Sequence, residues 1–160
     1  MGLIVDGVSR NARFGEHVRR TANKVGRIVQ KLEGILPRVD GLSYERRRVM
    51  VMAASLVLLY AAPIWQSELA YRKYNGILER ANCLLALRVA CADKTALSTA
   101  VMALVKIPPI TVRVRQRCMK AESESVSKVA EWVMSEWEKN WALYDGWMKV
   151  FVPSIRKLSG

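Results

Sequence analysis

The chain has 160 residues, of which 51% are hydrophobic, so it is long enough and apolar enough to bury a core of ordinary domain size. This composition excludes an intrinsically disordered chain, which has few apolar residues. Lys and Arg number 26 against 14 Asp and Glu, and the resulting net charge of +12 favours polyanionic partners, nucleic acid first and an anionic membrane second. Charge alone leaves both open.

The first predicted elements are a short strand or extended segment over residues 1–8 and a turn or loop over residues 9–15. From residue 16 until Pro37, apolar residues recur at helical spacing and basic residues occupy most of the remaining surface, which predicts an amphipathic helix. Residues 9–48 carry eleven basic and four acidic side chains, a net of +7, so this half contains the candidate binding surface. The predicted inward positions of the helix are Val18, Ala22, Val25, Ile28, Leu32 and Ile35.

The second predicted helix begins after an N-cap at Ser43, with Glu45 in its first turn, and runs through an apolar stretch, residues 49–65, until Pro63 kinks or breaks it. Three arginines precede the stretch, as they would a membrane segment with a basic cytoplasmic flank. These seventeen residues are short for a bilayer span, so we predict a buried core helix and keep a small membrane-associated helical protein as an alternative. We expect structural roles for its last polar and aromatic residues, Tyr60, Pro63 and Trp65.

Three further helices are predicted. One covers residues 73–90 and a short one covers residues 96–105. After an extended corner at Pro108 and Pro109, a single long helix is expected from residue 112 to about residue 141. The predicted fold is therefore all-α, a bundle of about five helices with a short N-terminal strand or extended segment.

The last long helix is basic in its first part and acidic later, since residues 121–145 carry a net charge of −4. Trp137 and Trp141 lie four residues apart, on one face with Val133 and either Val126 or Ala130. We interpret the two tryptophans as a packing seam in preference to a base-stacking platform.

The sequence offers no set of residues that assembles an active site. The three cysteines, Cys83, Cys91 and Cys118, match no zinc spacing and form an odd set, which indicates reduced thiols in an intracellular protein, nuclear or cytoplasmic. Phosphoryl chemistry needs carboxylates that converge on paired metal ions, whereas the four aspartates are scattered, and there is no Gly-rich phosphate loop. We therefore expect no catalysis by this chain alone, no metal and no cofactor.

Two stretches, residues 46–65 and 84–110, resemble the reverse transcriptases of non-LTR retrotransposons, particularly the R1-like insect elements. In that family a Tyr-Leu-Gly-hydrophobic strand closes the palm, an F…H helix follows, and the patterns RR-x-L and LLYG-x-P-x-W come next. The matching residues are Gly2, Leu3, Ile4, Asp6, Phe14, His17, Arg46, Arg47, Leu58, Leu59, Tyr60, Pro63 and Trp65. Further matches are the LRV of residues 87–89, the IPPI of residues 107–110 and the tryptophans and glycine of residues 137–147.

The resemblance implies the helical thumb and connection of an RNA-directed DNA polymerase, a part that grips nucleic acid without catalysing. In the family the catalytic palm precedes this region and a Cys/His-rich zinc knuckle follows it. Lys106 stands where the family has a small residue, and Thr99 stands where it has an acid. The implied organisation is a palm remnant over residues 1–15, a thumb-like bundle over 16–110, and a long helix with a Trp-containing connection over 111–160.

A thumb offers Arg and Lys to the phosphates of a primer-template duplex or RNA and does not read sequence. A palm domain, or a second copy meeting the exposed apolar surface, is the other implied partner. For each candidate the alternative is a solvated helix face, and for the whole chain it is a retroelement remnant without binding function. The candidate nucleic-acid-binding residues are Arg19, Arg20, Lys24, Arg27, Lys31, Arg46, Arg47, Arg113 and Arg117.

Overall fold

The computed structural model describes residues 7–35 and 43–158, with side chains from Phe14 to Gly34 in the first range. Within these ranges the chain forms eight α-helices and no strand, which confirms the all-α bundle, although with more helices than five. Two short 3-10 turns, Gln66–Ala70 and Arg156–Leu158, accompany them. The helices are α1 (Gly7–Ile35), α2 (Tyr44–Leu58), α3 (Ala62–Trp65), α4 (Arg72–Ala90), α5 (Ser98–Leu104), α6 (Ile110–Ala121), α7 (Val126–Ala142) and α8 (Met148–Phe151).

The first helix begins earlier than the sequence indicates. Residues 9–15 belong to α1, so the predicted loop there is wrong, and Gly7 and Val8 also lie in α1. Phe14 packs against the main core, which gives this segment a buried contact that favours continuing the helix. The first six residues of the strand predicted over residues 1–8, with the four family matches among them, lie outside the described residues, as does Pro37.

The main core lies where α1, α2 and α4 pack against one another. Buried residues recur on α1 at intervals of three or four, as the amphipathic pattern predicts. Ile28 is only half-buried, and Val29 takes the inward position. The buried side chains that α1 and α4 contribute to this core are Val18, Ala22, Val25, Val29, Leu32, Leu78, Ala81, Leu85, Ala86, Leu87 and Val89.

After its charged first turn, helix α2 is apolar on nearly every face, but the bundle covers only part of it. Val51, Ala54, Ser55 and Leu58 are buried. On the opposite side an apolar row, which we call the α2 stripe, remains exposed. It consists of Val49, Ala53, Leu56 and Tyr60.

A tight turn separates α2 from α3. Ala61 adopts a left-handed backbone with φ 53°, Pro63 occupies the first turn of α3, and the indole Nε1 of Trp65 donates to the carbonyl of Tyr60 at 2.8 Å. Trp65 is 1% exposed, so its core position is confirmed. The predicted helix break is also present, but it lies before Pro63, since α2 ends at Leu58 and Pro63 is within α3. The structural role predicted for the Tyr60 side chain is wrong, because that side chain is 71% exposed and only its carbonyl holds the turn.

The single long helix predicted after the double proline is wrong, because residues 122–125 separate α6 from α7. Ser123 is left-handed with φ 61°, its N–H donates to the carbonyl of Lys120 at 3.3 Å, and the N–H of Glu124 donates to that of Met119 at 3.2 Å. This pair of bonds is the Schellman ending of a helix. Ser125 then caps α7 by accepting from the N–H of Lys128 at 3.4 Å.

Beyond this break, α7 presents its tryptophans to α5 and the C-terminal segment. Trp137 and Trp141 are buried with Ala103 and Ile155, and the Nε1 of Trp141 donates to the carbonyl of Val152 at 2.9 Å. The packing seam is therefore confirmed. Val126 and Ala130 are exposed, so neither shares this buried face, and Val129 is buried with Val133 in a separate contact with α6.

The end of α5 repeats the Schellman motif with an unfavourable residue. Lys106 has φ 56°, its N–H donates to the carbonyl of Ala103 at 3.1 Å, and the N–H of Ile107 donates to that of Met102 at 2.9 Å. Glycine is the usual residue at this position, since a Cβ raises the energy of the left-handed conformation. The exposed lysine side chain therefore sits on a strained backbone.

We expect Trp65→Ala to lower the free energy of unfolding by about 3–5 kcal/mol through the cavity it leaves. The matched control is Trp147→Ala, because Trp147 is 67% exposed. Its effect should stay near 0.5 kcal/mol, the usual range for a surface change. Chemical denaturation measures both, and equal midpoints for the two variants would contradict the buried position of Trp65.

Lys106→Gly should raise the free energy of unfolding by about 1 kcal/mol, because a left-handed backbone costs a non-glycine residue roughly that much. Lys31→Gly replaces an exposed lysine within the regular helix α1. It should have the opposite sign and lower stability by about 1 kcal/mol. Thermal or denaturant unfolding compares them, and a destabilising Lys106→Gly would rule out strain at this turn.

Candidate nucleic-acid interface

The basic face of α1 borders a groove of about 740 Å³ between α1 and α2. Arg20, Lys24 and Arg27 follow one another at spacings of four and three residues, so they form a row along one side of the helix. Leu56 and Tyr60 of the α2 stripe form the other wall. The groove therefore combines a row of cations with an apolar wall.

Among the side chains that the structure describes, few neutralise this charge. Arg20 pairs with Glu16 at 3.0 Å, but both side chains are well exposed, and such a pair contributes little and is easily exchanged for another anion. Among the described residues, neither Lys24 nor Arg27 forms an ion pair. The row can thus offer two to three cations to a ligand.

A second groove, of about 380 Å³, lies between α2 and α6. It shares Leu56 and Tyr60 with the first groove, so these two side chains form a ridge between the grooves. Arg117 and Lys120, three residues apart on α6, line its far side. The ridge is therefore apolar and has basic residues on both sides.

A third groove, of about 710 Å³, lies on the other side of α1, against α4. It shares Asn23 and Arg27 with the first groove and adds Arg80. The three grooves thus form one continuous surface across α4, α1, α2 and α6. We call this the basic surface, and its cations are Arg20, Lys24, Arg27, Arg80, Arg117 and Lys120.

The structure brings together only part of the predicted set. Arg20, Lys24 and Arg27 share one groove, and Arg117 lies in the next. Arg46 is exposed and Arg47 half-buried at the start of α2, about 20 Å along the helix axis from Tyr60 at 1.5 Å per residue. Two further candidates, Arg19 and Lys31, are exposed on α1 but line none of the three grooves described above.

Arg113 is not a surface residue, and the prediction that it contacts phosphate is wrong. Its side chain is 5% exposed at the floor of the second groove. Nη1 donates to Oδ1 of Asn82 at 2.6 Å, and Nη2 donates to Oγ of Ser55 at 2.7 Å. The guanidinium of Arg113 thus connects α6 to α2 and α4, and its role is structural.

The buried network around Arg113 extends to the double-proline corner. Nδ2 of Asn82 donates to the carbonyl of Pro108 at 3.0 Å, and Oε2 of Glu79 accepts from the N–H of Ile110 at 2.9 Å. Burial lowers the pKa of Arg113 to about 10, so the group remains a cation at neutral pH. Burial also raises the pKa of Glu79, and the hydrogen bonds from Ile110 and Asn82 together with the charge of Arg113 oppose this rise.

Two parts of the basic surface were missed in the sequence. Lys120 and Arg80 lie on basic helices, but the sequence does not show which helices pack together to form the grooves that these residues line. No sequence signal marked the exposure of Leu56 and Tyr60, because a helix that is apolar all round is normally buried.

The described residues contain no cluster of three or more His, Cys, Asp or Glu side chains that could hold a metal ion. Glu68 is buried, its carboxylate oxygens have no hydrogen-bond partner, and burial raises its pKa. Perturbed carboxyl groups are common at functional sites. Glu68, however, lines none of the three grooves of the basic surface.

Within residues 7–35 and 43–158, no single helix has both the length and the apolar character to cross a membrane. The consecutive segments Tyr44–Leu58 and Ala62–Ala70 meet these criteria only as a pair, with a bend of 48° between them.

Comparison of the chain with protein-family models, with curated proteins and with solved structures finds no match.

We expect Arg113→Met to lower the free energy of unfolding by about 3–5 kcal/mol, because it leaves buried polar partners without the cation they surround. Arg117→Met, one turn further along the same helix and exposed, is the control and should change stability by about 0.5 kcal/mol or less. Urea denaturation distinguishes them. Equal stability of the two variants would mean that the buried network does not hold the fold.

Proposed function

We propose that this chain holds nucleic acid for chemistry done by another protein or domain, as the thumb and connection of a non-LTR retrotransposon reverse transcriptase would, and that it catalyses nothing itself. The observation that carries the proposal is the groove between α1 and α2, with Arg20, Lys24 and Arg27 on one wall. A row of cations a turn apart matches the repeating charge of a phosphate backbone. Such contacts position nucleic acid without reading its sequence.

The distribution of charge supports the same proposal. The net charge is +12 overall, whereas residues 121–145, which include α7, carry a net of −4, and α7 packs against α6. A molecule with separated positive and negative regions is oriented by a polyanion as well as attracted to it. The basic surface is the part that would face the ligand.

The backbone at two departures from the family pattern supports the resemblance. Ala61 stands where the pattern LLYG-x-P-x-W has glycine, and Lys106 stands where the family has a small residue. Both residues are left-handed, with φ 53° and 56°. Glycine adopts this conformation at no steric cost, so the turn at residue 61 is one that the family's glycine favours.

The test compares two triple variants with equal loss of charge. One is Arg20→Gln, Lys24→Gln and Arg27→Gln, which removes the row on α1. The other is Lys94→Gln, Arg156→Gln and Lys157→Gln, which changes three exposed cations that line none of the three grooves. Circular dichroism establishes that both variants are folded.

Binding of a mixed-sequence oligonucleotide is then measured against salt concentration. If the α1 row makes three phosphate contacts, its removal should reduce the slope of log affinity against log salt by about 2–3, since each contact contributes 0.7–0.9. The control variant should keep the slope of the unmodified chain within about 1. Equal losses in the two variants would mean that only net charge matters.

Two other results would replace the proposal with its alternatives. Absence of any salt-sensitive binding by the unmodified chain would favour a retroelement remnant without a binding role. Partition of the chain into the membrane fraction, with no affinity for oligonucleotides, would favour a membrane-associated helical protein.

A further inference from the structure

An aromatic ring stands at the centre of the basic surface. Tyr60 is 71% exposed at the end of α2 and lines both the first and the second groove. Leu56, one turn earlier and 64% exposed, extends the ridge. Large side chains this exposed form a platform against which a flat apolar group can pack.

The charged residues beside the ridge restrict which class of ligand can carry this flat apolar group. Lys24 and Arg27 lie on one side of the ridge, and Arg117 and Lys120 lie on the other. A neutral apolar ligand would leave these cations unused, whereas a chain of phosphates that carries flat bases can use both. The surface is therefore complementary to nucleic acid in its apolar part as well as in its charge.

The apolar ridge also distinguishes between forms of nucleic acid. In a duplex the bases are stacked and paired, so an aromatic side chain can contact the face of a base only after that base has been unstacked, which costs free energy. In a single strand the base faces are accessible, and stacking on an aromatic side chain tolerates any sequence. The cations on both sides can contact the phosphates of either form, but the ridge can stack only on the accessible bases of a single strand.

We propose that the basic surface binds a single-stranded segment of nucleic acid, with one base stacked on Tyr60 and the neighbouring phosphates on the cations of α1 and α6. This inference depends on the proposed function and adds the class of ligand. Stacking needs the aromatic ring and not its hydroxyl. Tyr60→Phe should therefore bind as the unmodified chain does, whereas Tyr60→Ala should not.

The experiment measures fluorescence anisotropy with two probes, a labelled oligo(dT) of about 15 nucleotides, within the site sizes of single-strand binders, and a duplex of equal length. Tyr60→Ala should weaken binding of oligo(dT) about tenfold, which corresponds to a loss of 1.4 kcal/mol. Its effect on the duplex should stay within about twofold. The control Phe151→Ala removes an aromatic side chain that is 74% exposed and lines none of the grooves of the basic surface, and it should leave both affinities unchanged.

The outcomes separate this inference from the proposed function. If Tyr60→Ala has the same effect on both probes, or none, the stacking role is wrong, while loss of binding on removal of the α1 row would still support nucleic-acid binding. If the unmodified chain binds neither probe, both proposals fail. If it instead binds vesicles of anionic phospholipid and Tyr60→Ala releases it, the ridge is a membrane-contacting surface and the inference is overturned.

Discussion

One buried guanidinium connects three helices of this bundle. Arg113 on α6 donates to Ser55 of α2 and to Asn82 of α4, and Asn82 in turn donates to the carbonyl of Pro108. The carboxylate of Glu79 accepts the first N–H of α6, so the double-proline corner is tied to α4 at both of its ends. A buried cation is tolerated only when its partners are in place. The direction of α6 is therefore fixed by polar contacts rather than by apolar packing alone.

The direction of α6 determines which cations lie beside α2 on the surface of the molecule. Arg117 lies one turn beyond Arg113 and Lys120 nearly another turn on, so anchoring the first arginine brings the other two cations beside α2. On the same helix, Arg113 is buried and structural, whereas Arg117 and Lys120 line a groove. A different crossing of α6 would leave Leu56 and Tyr60 bordered by cations on the α1 side only. The two-sided basic surface is thus a consequence of the buried network.

Local sequence patterns were sufficient for much of the fold but not for its contacts. The periodicity of α1 and α4 and the double proline predicted two long helices and a corner, because these signals act within a few residues. The burial of Arg113 depends on partners 58 and 31 residues away, and nothing near it in sequence marks it as different from Arg117. The break after α6 was missed because Ser123 takes a position where glycine would have been the signal.

The candidate site illustrates the same limit. Counting charges located the basic half of the chain and three residues of one groove, whereas the ridge appears only once the bundle leaves one face of α2 uncovered. An exposed apolar row is unfavourable in water and is maintained in a protein for a contact or tolerated at a cost. Here the ridge of Leu56 and Tyr60 lies between cations. Water and salt ions therefore compete with a ligand for the charged side chains but not for the apolar ones. A ligand with both phosphates and accessible bases would contact every part of the surface, and because none of these contacts would read a base edge, the proposed binding would not depend on sequence.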